Sequence, residues 1–570
     1  MAGHPHDSTE LRKARGAFFT PEPLARYVTD WAVRSAHDHV LEPSCGEAAF
    51  LVAAGRRLTA LGATGDLAGQ LAGVEVHAGS VAAAVGHLHT AGYRAEIAVA
   101  DFLAGAPAAA YDVVVGNPPY VRYQAFSGQA RAVARGAALR GGVALTALAS
   151  SWAAFTVHAA LHVRTGGRLG LVLPAEMLTV NYAAPVRDFL MRAFARVRLV
   201  LFSERVFPGV LEDVVLLLAE GRGLAPTDHC ELVQTRNAAT LAEPTDAPVR
   251  RWNPEVGERW SRALLPPDAA RAYAAALAGP GIVPLAAWGE TTLGMVTGNN
   301  AFFAVSGAAA RRQGLRPQDL IRLSPPGSRH LRGLELTTAR LEELDASGKS
   351  TWLFRPEGAP SATGRRYIAA GEAVGVDGAY KCRVRTPWWR TPYLPPADLL
   401  LTYMNADTAR LCTNTAGVHH LNSVHGVYLR REVRALGREL LPIAALNSVT
   451  LLGAEVVGRA YGGGVLKLEP READRWPMPA VDLVAARAGA LRGVRAAVAE
   501  QLARGAVFAA SRLVDAALWP ESDDPPRGSS GRIDGVAAPV DEMAGGPEFE
   551  ALRRGREALH DRRRARSRSP

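Results

Sequence analysis

Residues 112–120 join an apolar run to a turn whose side chains could do chemistry, and read Asp-Val-Val-Val-Gly-Asn-Pro-Pro-Tyr. Pro118 and Pro119 each hold φ at about −65° and lack a backbone donor, so the predicted strand ends there and the chain leaves it stiffly. The turn aims the Asn117 amide, the Pro118 carbonyl and the Tyr120 ring at one point. Two acceptors beside an aromatic ring suit a planar substrate with an amino group. The alternative is a proline stop after a buried strand, with Tyr120 as ordinary packing.

Three more apolar runs, upstream of this turn, each end in an acid. Glu42 and Gly46 close the first run, Glu75 closes the second, and Asp101 with Phe102 closes the third. In a parallel sheet such acids and glycines lie at the carboxyl edge, where nucleotide-like cofactors bind. Glu75 can accept both hydroxyls of a ribose, Asp101 can accept from an exocyclic amine, and Phe102 can lie on a ring. A single glycine argues against a pyrophosphate. Any one of these acids alone would be read as a helix cap.

With these motifs in this order, the chain resembles the class I S-adenosylmethionine-dependent methyltransferases. More narrowly, it resembles the adenine-N6 DNA methyltransferases of the gamma arrangement, the TaqI-type restriction-modification methylases. The family's first cofactor motif matches Phe-Phe-Thr-Pro ending at Thr20 and Pro21, and its fifth strand and final hairpin match residues 166–174 and 197–218. One departure is Ala48, where many members have a second glycine; we expect a tighter turn there and an intact site.

The resemblance implies an α/β fold: a doubly wound, seven-stranded mixed sheet followed by a C-terminal mixed α+β target-recognition domain. It implies S-adenosyl-L-methionine as cofactor and the N6 atom of a flipped-out adenine as the methyl acceptor. Phe207 matches the position that stacks on the target base, and Thr20 lies near the methionine carboxylate. The expected catalytic residues are Asn117, Pro118, Tyr120 and Phe207. The expected cofactor-binding residues are Thr20, Glu42, Gly46, Glu75, Asp101, Phe102, Asn117 and Pro119.

Two other functions use similar sequences. Asn-Pro-Pro-Tyr also occurs in methyltransferases that act on protein glutamine-N5 or on RNA, but those generally lack the Phe-Thr-Pro segment and a large C-terminal domain. A non-catalytic DNA-specificity subunit would not need the intact turn. A fused nuclease of the PD…(D/E)xK type is not expected, because none of the four lysines has an acid two residues before it.

The charge of the chain is concentrated at its C-terminus. Of 65 basic residues only four are lysine, and the net charge is +10. Residues 551–570 hold eight arginines and two acids, so they account for +6 of that charge. The rest of the chain carries only about +4, so DNA affinity must come from local basic clusters.

The cysteines and the hydropathy argue for a cytoplasmic protein. Cys45, Cys230, Cys382 and Cys412 are dispersed, which argues against a disulfide scaffold and fits a reducing compartment. Cys412 with the histidines at 419, 420 and 425 fits no common zinc spacing, so no metal is expected. We find no signal-peptide pattern and no apolar run of about 20 residues, so no membrane partner is expected.

Composition divides the chain into six parts. Residues 1–13 are polar and expected to be mobile, and 14–222 form the methyltransferase domain. Within that domain, the Arg- and Gly-rich stretch 121–147 is either a solvated loop with a helix or a segment that orders over the extruded nucleotide. The remaining predicted parts are a linker (223–265), a DNA target-recognition domain (266–480), a helical segment (481–518) and a disordered Arg-rich tail (519–570).

The densest candidate for reading DNA bases lies in the predicted recognition domain. Arginine interleaved with tryptophan suits groove contacts, because arginine can bind guanine with two hydrogen bonds. A Trp-Trp pair that anchors a small β core is an equally good interpretation of the tryptophans. The expected partners are double-stranded DNA and a separately encoded restriction endonuclease, with the chain itself a monomer. The candidate DNA-binding residues are Arg383, Arg385, Trp388, Trp389 and Arg390.

Overall fold

The protein folds into two compact units, Met1–Leu264 and Leu265–Pro570. The computed structural model describes residues 20–121, 128–202, 206, 214–242, 249–254, 257, 259–461, 464–520 and 546–565. The predicted mobile segment 1–13 therefore lies outside the described residues, as do Phe18 and Phe19 of the first cofactor motif.

The first unit is built on a nine-stranded mixed sheet with the strand order β3-β2-β1-β4-β5-β7-β6-β8-β9. Strands β1 to β5 run parallel, β7 is antiparallel to both β5 and β6, and β8 runs parallel to β6. The strands are β1 (Val40–Pro43), β2 (Leu71–Glu75), β3 (Glu96–Val99), β4 (Tyr111–Gly116), β5 (Val163–Pro174), β6 (Phe194–Phe202), β7 (Val214–Arg222), β8 (Cys230–Thr235) and β9 (Arg250–Trp252).

Helices cover both faces of this sheet, because the central strands are apolar on both sides. In β4, Val113 and Val115 pack into the core beneath α1 to α3, whereas Val114 packs into the core beneath α4, α5 and α7. The helices are α1 (Glu22–Ala32), α2 (Ala49–Ala60), α3 (Ala78–Thr90), α4 (Gly128–Arg140), α5 (Ser151–His162), α6 (Glu176–Thr179) and α7 (Ala184–Ala193).

The predicted linker over 223–265 is wrong in part, because β8 and β9 extend the sheet beyond the seven expected strands. The first three residues of β8, Cys230, Glu231 and Leu232, are all buried, and the strand pairs in parallel with β6 and antiparallel with β9. The Pro, Thr and Asp content of the surrounding loops dominated the sequence interpretation and hid this short strand.

The second unit combines small sheets with helices, as the predicted α+β class requires. Its largest sheet has four antiparallel strands in the order β11-β18-β15-β17. The strands are β10 (Ile282–Pro284), β11 (Gly289–Leu293), β12 (Ala304–Val305), β13 (Leu320–Arg322), β14 (Trp352–Phe354), β15 (Leu399–Thr402), β16 (Met404–Asn405), β17 (Leu411–Thr413), β18 (Val424–Leu429), β19 (Arg459–Tyr461), β20 (Val465–Lys467) and β21 (Pro477–Pro479).

The helices of the second unit include one that is buried along most of its length, α15, whose residues from Ser448 to Val456 are shielded from solvent. The set is α8 (Pro267–Ala278), α9 (Asn300–Phe303), α10 (Gly307–Arg312), α11 (Thr338–Ala346), α12 (Ala362–Ala373), α13 (Tyr380–Arg383), α14 (Arg434–Ala444), α15 (Ser448–Val457), α16 (Pro470–Ala473), α17 (Val481–Ala486), α18 (Ala488–Ala503), α19 (Val507–Leu518) and α20 (Pro547–Ala565).

The predicted disordered tail is also wrong in part, because α20 packs into the second unit. Phe549 and Leu552 are fully buried, and the helix lies against α8 and α15. Apolar residues at helical spacing supply one buried face, and several arginines of the same helix have acidic partners. Residues 521–545 and 566–570 lie outside the described part of the chain.

Candidate active site at the carboxyl edge of the sheet

The parallel register of the first four strands brings the predicted acids and the Asn-Pro-Pro-Tyr turn to one edge. Strand β1 pairs in parallel with both β2 and β4, and β2 pairs with β3 so that Glu75 lies opposite Val99. Carboxyl ends of neighbouring parallel strands meet at the same edge, which is where α/β proteins bind ligands. The motifs that the sequence spreads over residues 42–120 therefore converge.

The side-chain amide of Asn117 is held at both ends. Its Nδ2 donates to Thr20 Oγ1 at 3.2 Å, and the Tyr120 hydroxyl lies 2.7 Å from its Oδ1. The same hydroxyl lies 2.9 Å from the carbonyl oxygen of Val172 on β5. A phenol has one proton, so it cannot donate fully to both acceptors. Asn117 Oδ1 therefore retains capacity to accept from a substrate amine.

Ser151, the first residue of α5, hydrogen-bonds to the backbone at the end of the Asn-Pro-Pro-Tyr turn. The Ser151 hydroxyl donates to the Pro119 carbonyl and accepts from Val121 N at 2.9 Å. The Ser151 amide donates in turn to the Val121 carbonyl at 3.0 Å. Sequence reasoning missed Ser151, because its hydroxyl contacts residues about 30 positions earlier in the chain and does not cap its own helix.

The turn after β1 uses left-handed backbone at Ser44, Gly46 and Ala48, with φ of 56°, 50° and 66°. A Cβ added at Gly46 would meet no atom within 4 Å, so this glycine borders open space. Glu75 holds the turn in place: its Oε2 accepts from Gly46 N and its Oε1 from His77 N, each at 3.0 Å. The carboxylate oxygens have further lone pairs, so Glu75 can still accept from a ligand.

Glu42 contacts the helix that follows this turn. Its Oε2 accepts from Leu51 N at 2.9 Å, in the first turn of α2, and the side chain is buried. Burial raises the pKa of the Glu42 carboxyl well above its ordinary value, and the nearby Glu75 carboxylate raises it further. Burial likewise raises the pKa of the Cys45 thiol between them. Glu42 therefore supports the first turn of α2, and the carboxylate that contacts Gly46 is that of Glu75.

Asp101 and Phe102 occupy different environments. Asp101 is exposed, and its Oδ1 accepts from Leu103 N at 3.0 Å, which caps the short 3₁₀ helix Phe102–Ala104. Phe102 is only 6% exposed, and its ring stacks on Phe155 of α5 with centroids 5.6 Å apart. Phe102 therefore has only a small surface to offer a ligand ring.

Two exposed valines at the same edge were missed by the sequence reasoning. Val76 follows Glu75 and Val99 ends β3, and each is 57% exposed. Exposed apolar side chains flanking two acids provide walls for a flat, partly apolar ligand such as an adenine ring. The signal was present in the sequence, because Val76 directly follows Glu75 and Val99 lies two residues before Asp101.

A second hydrogen-bonded group extends from the end of β5 towards α5. Glu176 Oε1 accepts from Trp152 Nε1 and from the Tyr182 hydroxyl, both at 2.7 Å. Tyr182 also lies 3.1 Å from the hydroxyl of Ser150, next to Ser151. Burial and the Glu176 carboxylate raise the pKa of Tyr182, so the phenol stays protonated as a donor.

The predicted base-stacking residue Phe207 lies outside the described residues, so its position relative to Tyr120 stays a prediction. Among the residues that the structure does describe, no group of three or more His, Cys, Asp or Glu side chains could hold a metal ion.

The structure divides the five predicted DNA-binding residues of the second unit. Arg383 and Arg390 are exposed, and Arg390 lies over the half-buried ring of Trp389 at 5.3 Å. Arg385 instead donates to the carbonyls of Val296 and Thr297. Trp388 donates to Glu372 Oε1 at 2.9 Å and packs on aromatic rings of the local core. Arg383 and Arg390 are therefore accessible to a partner, whereas Arg385 and Trp388 stabilise the fold of the second unit.

No single described helix has the length and apolar character of a membrane span. Helices α14 and α15 reach that composition only when taken together, and they are bent by 87° at their junction.

Both units match families of known methyltransferases. Residues 6–241 match the N-6 DNA Methylase family, and residues 257–518 match the family described as Type II methyltransferase M.Eco57I, C-terminal domain. Among solved structures, the type IIG restriction endonuclease BpuSI is similar with a TM-score of 0.43 and 13% identity, over 98% of this chain and 67% of that one. The DrdV–DNA complex is similar with a TM-score of 0.46 and 11% identity, over 85% and 57%.

Curated relatives extend over most of the chain. It is 26% identical over 479 residues to the Type II methyltransferase M.XamI of Xanthomonas campestris pv. amaranthicola, covering 82% of this chain and 85% of that one. It is 21% identical over 485 residues to M.AccI of Acinetobacter calcoaceticus, covering 83% and 86%. The predicted fold class is confirmed, and the chain belongs to the adenine-N6 DNA methyltransferases of the restriction-modification type.

Proposed function

We propose that the protein transfers the methyl group of S-adenosyl-L-methionine to N6 of an adenine flipped out of double-stranded DNA at a specific site. The observation that carries this proposal is the orientation of the Asn117 amide at the end of β4. Thr20 and Tyr120 hold the amide, and its Oδ1 atom can still accept a hydrogen bond from a substrate amine. DNA as the substrate also fits the DNA methylase family match, and this favours it over a protein glutamine or an RNA substrate.

The residues around the glycine turn fit the cofactor. Gly46 borders open space, Glu75 presents a carboxylate for the ribose hydroxyls, and the exposed Asp101 can accept from the adenine amine. Thr20 and Pro119 lie beside Asn117, next to the expected position of the methionine end, and Glu42 supports the start of α2. When bound, S-adenosylmethionine supplies an electrophilic methyl group on a sulfonium.

The chain's own residues activate the nucleophile. Adenine N6 is a poor nucleophile because its lone pair is delocalised into the ring. When Asn117 Oδ1 and the Pro118 carbonyl each accept one N–H, the nitrogen pyramidalises and its lone pair turns towards the methyl group. The N–C bond forms as the C–S bond breaks in line, and a proton leaves N6 afterwards. Because the methylated nitrogen is strongly acidic, no strong base is needed.

The turn also supplies a surface for the extruded base. A base inside a duplex cannot reach this edge, so it must be flipped out. Tyr120 offers one aromatic face, and Phe207 matches the family position that offers another; each stacking contact contributes roughly 1–3 kcal/mol. The Tyr120 hydroxyl can keep donating to Val172 while Asn117 Oδ1 accepts the adenine amine.

We further propose that the protein acts as a cytoplasmic monomer beside a separately encoded restriction endonuclease. The support is the family itself and the restriction-modification relatives that match most of the chain.

The proposal is tested by incubating the protein with tritiated cofactor and DNA and by identifying the methylated base by mass spectrometry. We expect N6-methyladenine, and we expect Asn117→Ala to lose turnover by several orders of magnitude while cofactor binding persists. Asn117→Asp should keep part of the activity, because a carboxylate still accepts. Near-normal turnover of Asn117→Ala would overturn the mechanism, and label in protein or RNA alone would overturn the substrate.

The cofactor assignment has its own test. Glu75→Ala and Asp101→Ala should each weaken cofactor binding by about 1.5–3 kcal/mol, because each loses a charge-assisted hydrogen bond, with little effect on DNA binding. Calorimetry that finds unchanged cofactor affinity in both variants would show that these acids only cap turns.

A further inference from the structure

Helix α13 and the residue after it present two apolar side chains to solvent, with two cations between them in the sequence. Tyr380 is 65% exposed and Val384, the residue after the helix, is 62% exposed. Lys381 and Arg383 are also exposed, whereas Cys382 between them is fully buried. Tyr380 is the first residue of this single helical turn and Val384 is its C-cap, so the two side chains lie at the two ends of the turn.

This helix is fixed from beneath, so its exposed residues form a preset surface. The Cys382 thiol lies 3.6 Å from the Thr297 carbonyl, and the Arg385 guanidinium donates to Thr297 and Val296. Gly298 approaches so closely that a Cβ there would lie 2.9 Å from Lys381 Cβ. The exposed side chains therefore need little reorganisation to meet a partner, which lowers the entropic cost of binding.

The charge of the segment indicates an anionic partner. Residues 380–393 contain four basic residues and no acid. The Lys381 ammonium lies 5.5 Å from the Tyr380 ring centroid, and the Arg355 guanidinium lies 4.7 Å from the ring centroid of the half-exposed Tyr393. Exposed aromatic and aliphatic groups flanked by cations match a surface that has phosphates on its rim and apolar base and sugar edges inside.

We propose that Tyr380 and Val384 are apolar contacts to bases or sugars in a groove of the target DNA, with Lys381 and Arg383 on the flanking phosphates. The inference rests on the proposed function, since the ligand is the DNA that the enzyme methylates. It assigns the groove contact to the exposed face of α13, and it leaves Arg385 and Trp388 as the supports of that face.

The test uses the full-length protein and a short fluorescent duplex with the site that the wild-type enzyme methylates, found by sequencing DNA it has modified. Val384→Ser and Tyr380→Ser should each lower duplex affinity about tenfold or more, with an unchanged salt dependence. The double variant Lys381→Gln/Arg383→Gln should instead reduce the slope of log affinity against log salt by about 2. Cofactor binding and melting temperature should stay at wild-type values in all of them.

Two control variants separate this surface from a general loss. Val85→Ser on α3, whose side chain is 51% exposed, and Arg340→Gln on α11, which is exposed beside Glu343, should bind DNA like the wild type. If every α13 variant binds DNA with wild-type affinity and the wild-type enzyme methylates DNA, the inference is overturned but the proposed function stands. If those variants bind DNA normally but change the oligomeric state, the face belongs to a second copy, and the inference fails as well. A wild-type protein that leaves DNA unmethylated would refute the proposed function itself.

Discussion

The Asn117 amide is oriented before any substrate is present, because Thr20 and Tyr120 contact opposite ends of it. Orientation in advance matters for electrostatic catalysis, since the dipole need not reorganise during the reaction. The sequence predicts the acceptor but assigns Thr20 only to the cofactor. Its contact with Asn117 joins residues that are 97 positions apart, and no local pattern indicates it.

Ala48 carries a cost that a glycine would avoid. It precedes α2 with φ of 66° and its side chain is fully buried. Left-handed backbone costs roughly 1–2 kcal/mol for a residue with a Cβ, whereas glycine adopts it freely. The departure from the family's second glycine therefore preserves the conformation of the turn and adds strain.

We expect Ala48→Gly to raise the free energy of unfolding by about 0.5–1 kcal/mol, because relief of strain outweighs the lost methyl group. Chemical denaturation measures it. Ala54→Gly in the interior of α2 is the matched control and should destabilise by about 1 kcal/mol. A loss of stability in both variants would show that the backbone of Ala48 is not strained.

At the scale of elements, α5 connects the two ends of the site. The hydroxyl of its first residue, Ser151, donates to the Pro119 carbonyl, and about one turn further Phe155 stacks on Phe102. The rings of His158 and His162 lie 4.8 Å and 4.9 Å from that of Phe102. Burial lowers the pKa of each histidine to about 4, so both are neutral near pH 7.

This neutral pair predicts a pH dependence of stability. A buried histidine with a lowered pKa binds fewer protons in the folded than in the unfolded state, so its contribution is lost as the pH falls from about 6.5 towards 4. When the pH falls from about 7 to about 5, the free energy of unfolding of the wild type should decrease. The decrease should be about 2 kcal/mol smaller in His158→Leu, because this variant has no buried imidazole at position 158 to protonate. Denaturation at the two pH values measures the difference. His89→Leu on the exposed side of α3 should behave like the wild type, and an equal pH dependence in all three proteins would contradict the prediction.

Helix α20 buries a charged side chain, that of Arg563, whereas the buried histidines of α5 are neutral. Arg563 and Glu455 are each only 3% exposed at the side chain, and two hydrogen bonds of 2.9 Å and 3.1 Å join them. The guanidinium also donates to the Asp407 carbonyl at 2.9 Å. Arg563 therefore anchors α20 to α15 within the second unit.

We expect Arg563→Ala to destabilise the protein by about 3–5 kcal/mol, because it leaves the Glu455 carboxylate buried and unpaired. Arg554 on the same helix provides the comparison: its pair with Asp268 is exposed, so Arg554→Ala should cost about 1 kcal/mol or less. Thermal unfolding of the two variants measures both values. Equal and small effects would mean that α20 is not anchored through Arg563.

For the whole molecule, we predict that catalysis and target recognition belong to different units. A pocket for one flipped adenine cannot specify a target of several bases, so recognition must come from elsewhere. The second unit matches a methyltransferase C-terminal family and carries the exposed Arg383 and Arg390. Recognition by this unit stays a prediction.

The arginines of the second unit should separate by role. Arg385→Ala should lower the melting temperature first, because the guanidinium supports the loop at Val296 and Thr297. Arg390→Ala should have the melting temperature of the wild type, because this side chain is exposed. If Arg390 reads a guanine, discrimination at one base position should fall by roughly 1–3 kcal/mol; if it contacts phosphate, affinity should fall on all sequences alike. Melting curves and sequencing of methylated DNA distinguish these outcomes, and an unchanged target at full methylation in both variants would refute any role in recognition.

The strand-end motifs could be predicted from the sequence, because apolar runs, proline stops and acids at strand ends are local patterns, and their resemblance to known methyltransferases implied the fold class and the family. Packing decided how exposed each motif residue is: Asp101 is exposed, whereas Glu42, Glu75 and Phe102 are mostly buried, and Glu75 is the acid that accepts from Gly46 N. It also added β8 and β9 to the sheet and turned part of the tail into α20. The physical reason is that burial and long-range hydrogen bonds depend on which elements pack together. A pattern of neighbouring residues indicates what a segment can form, but only its packing partners decide which side chains remain available for chemistry.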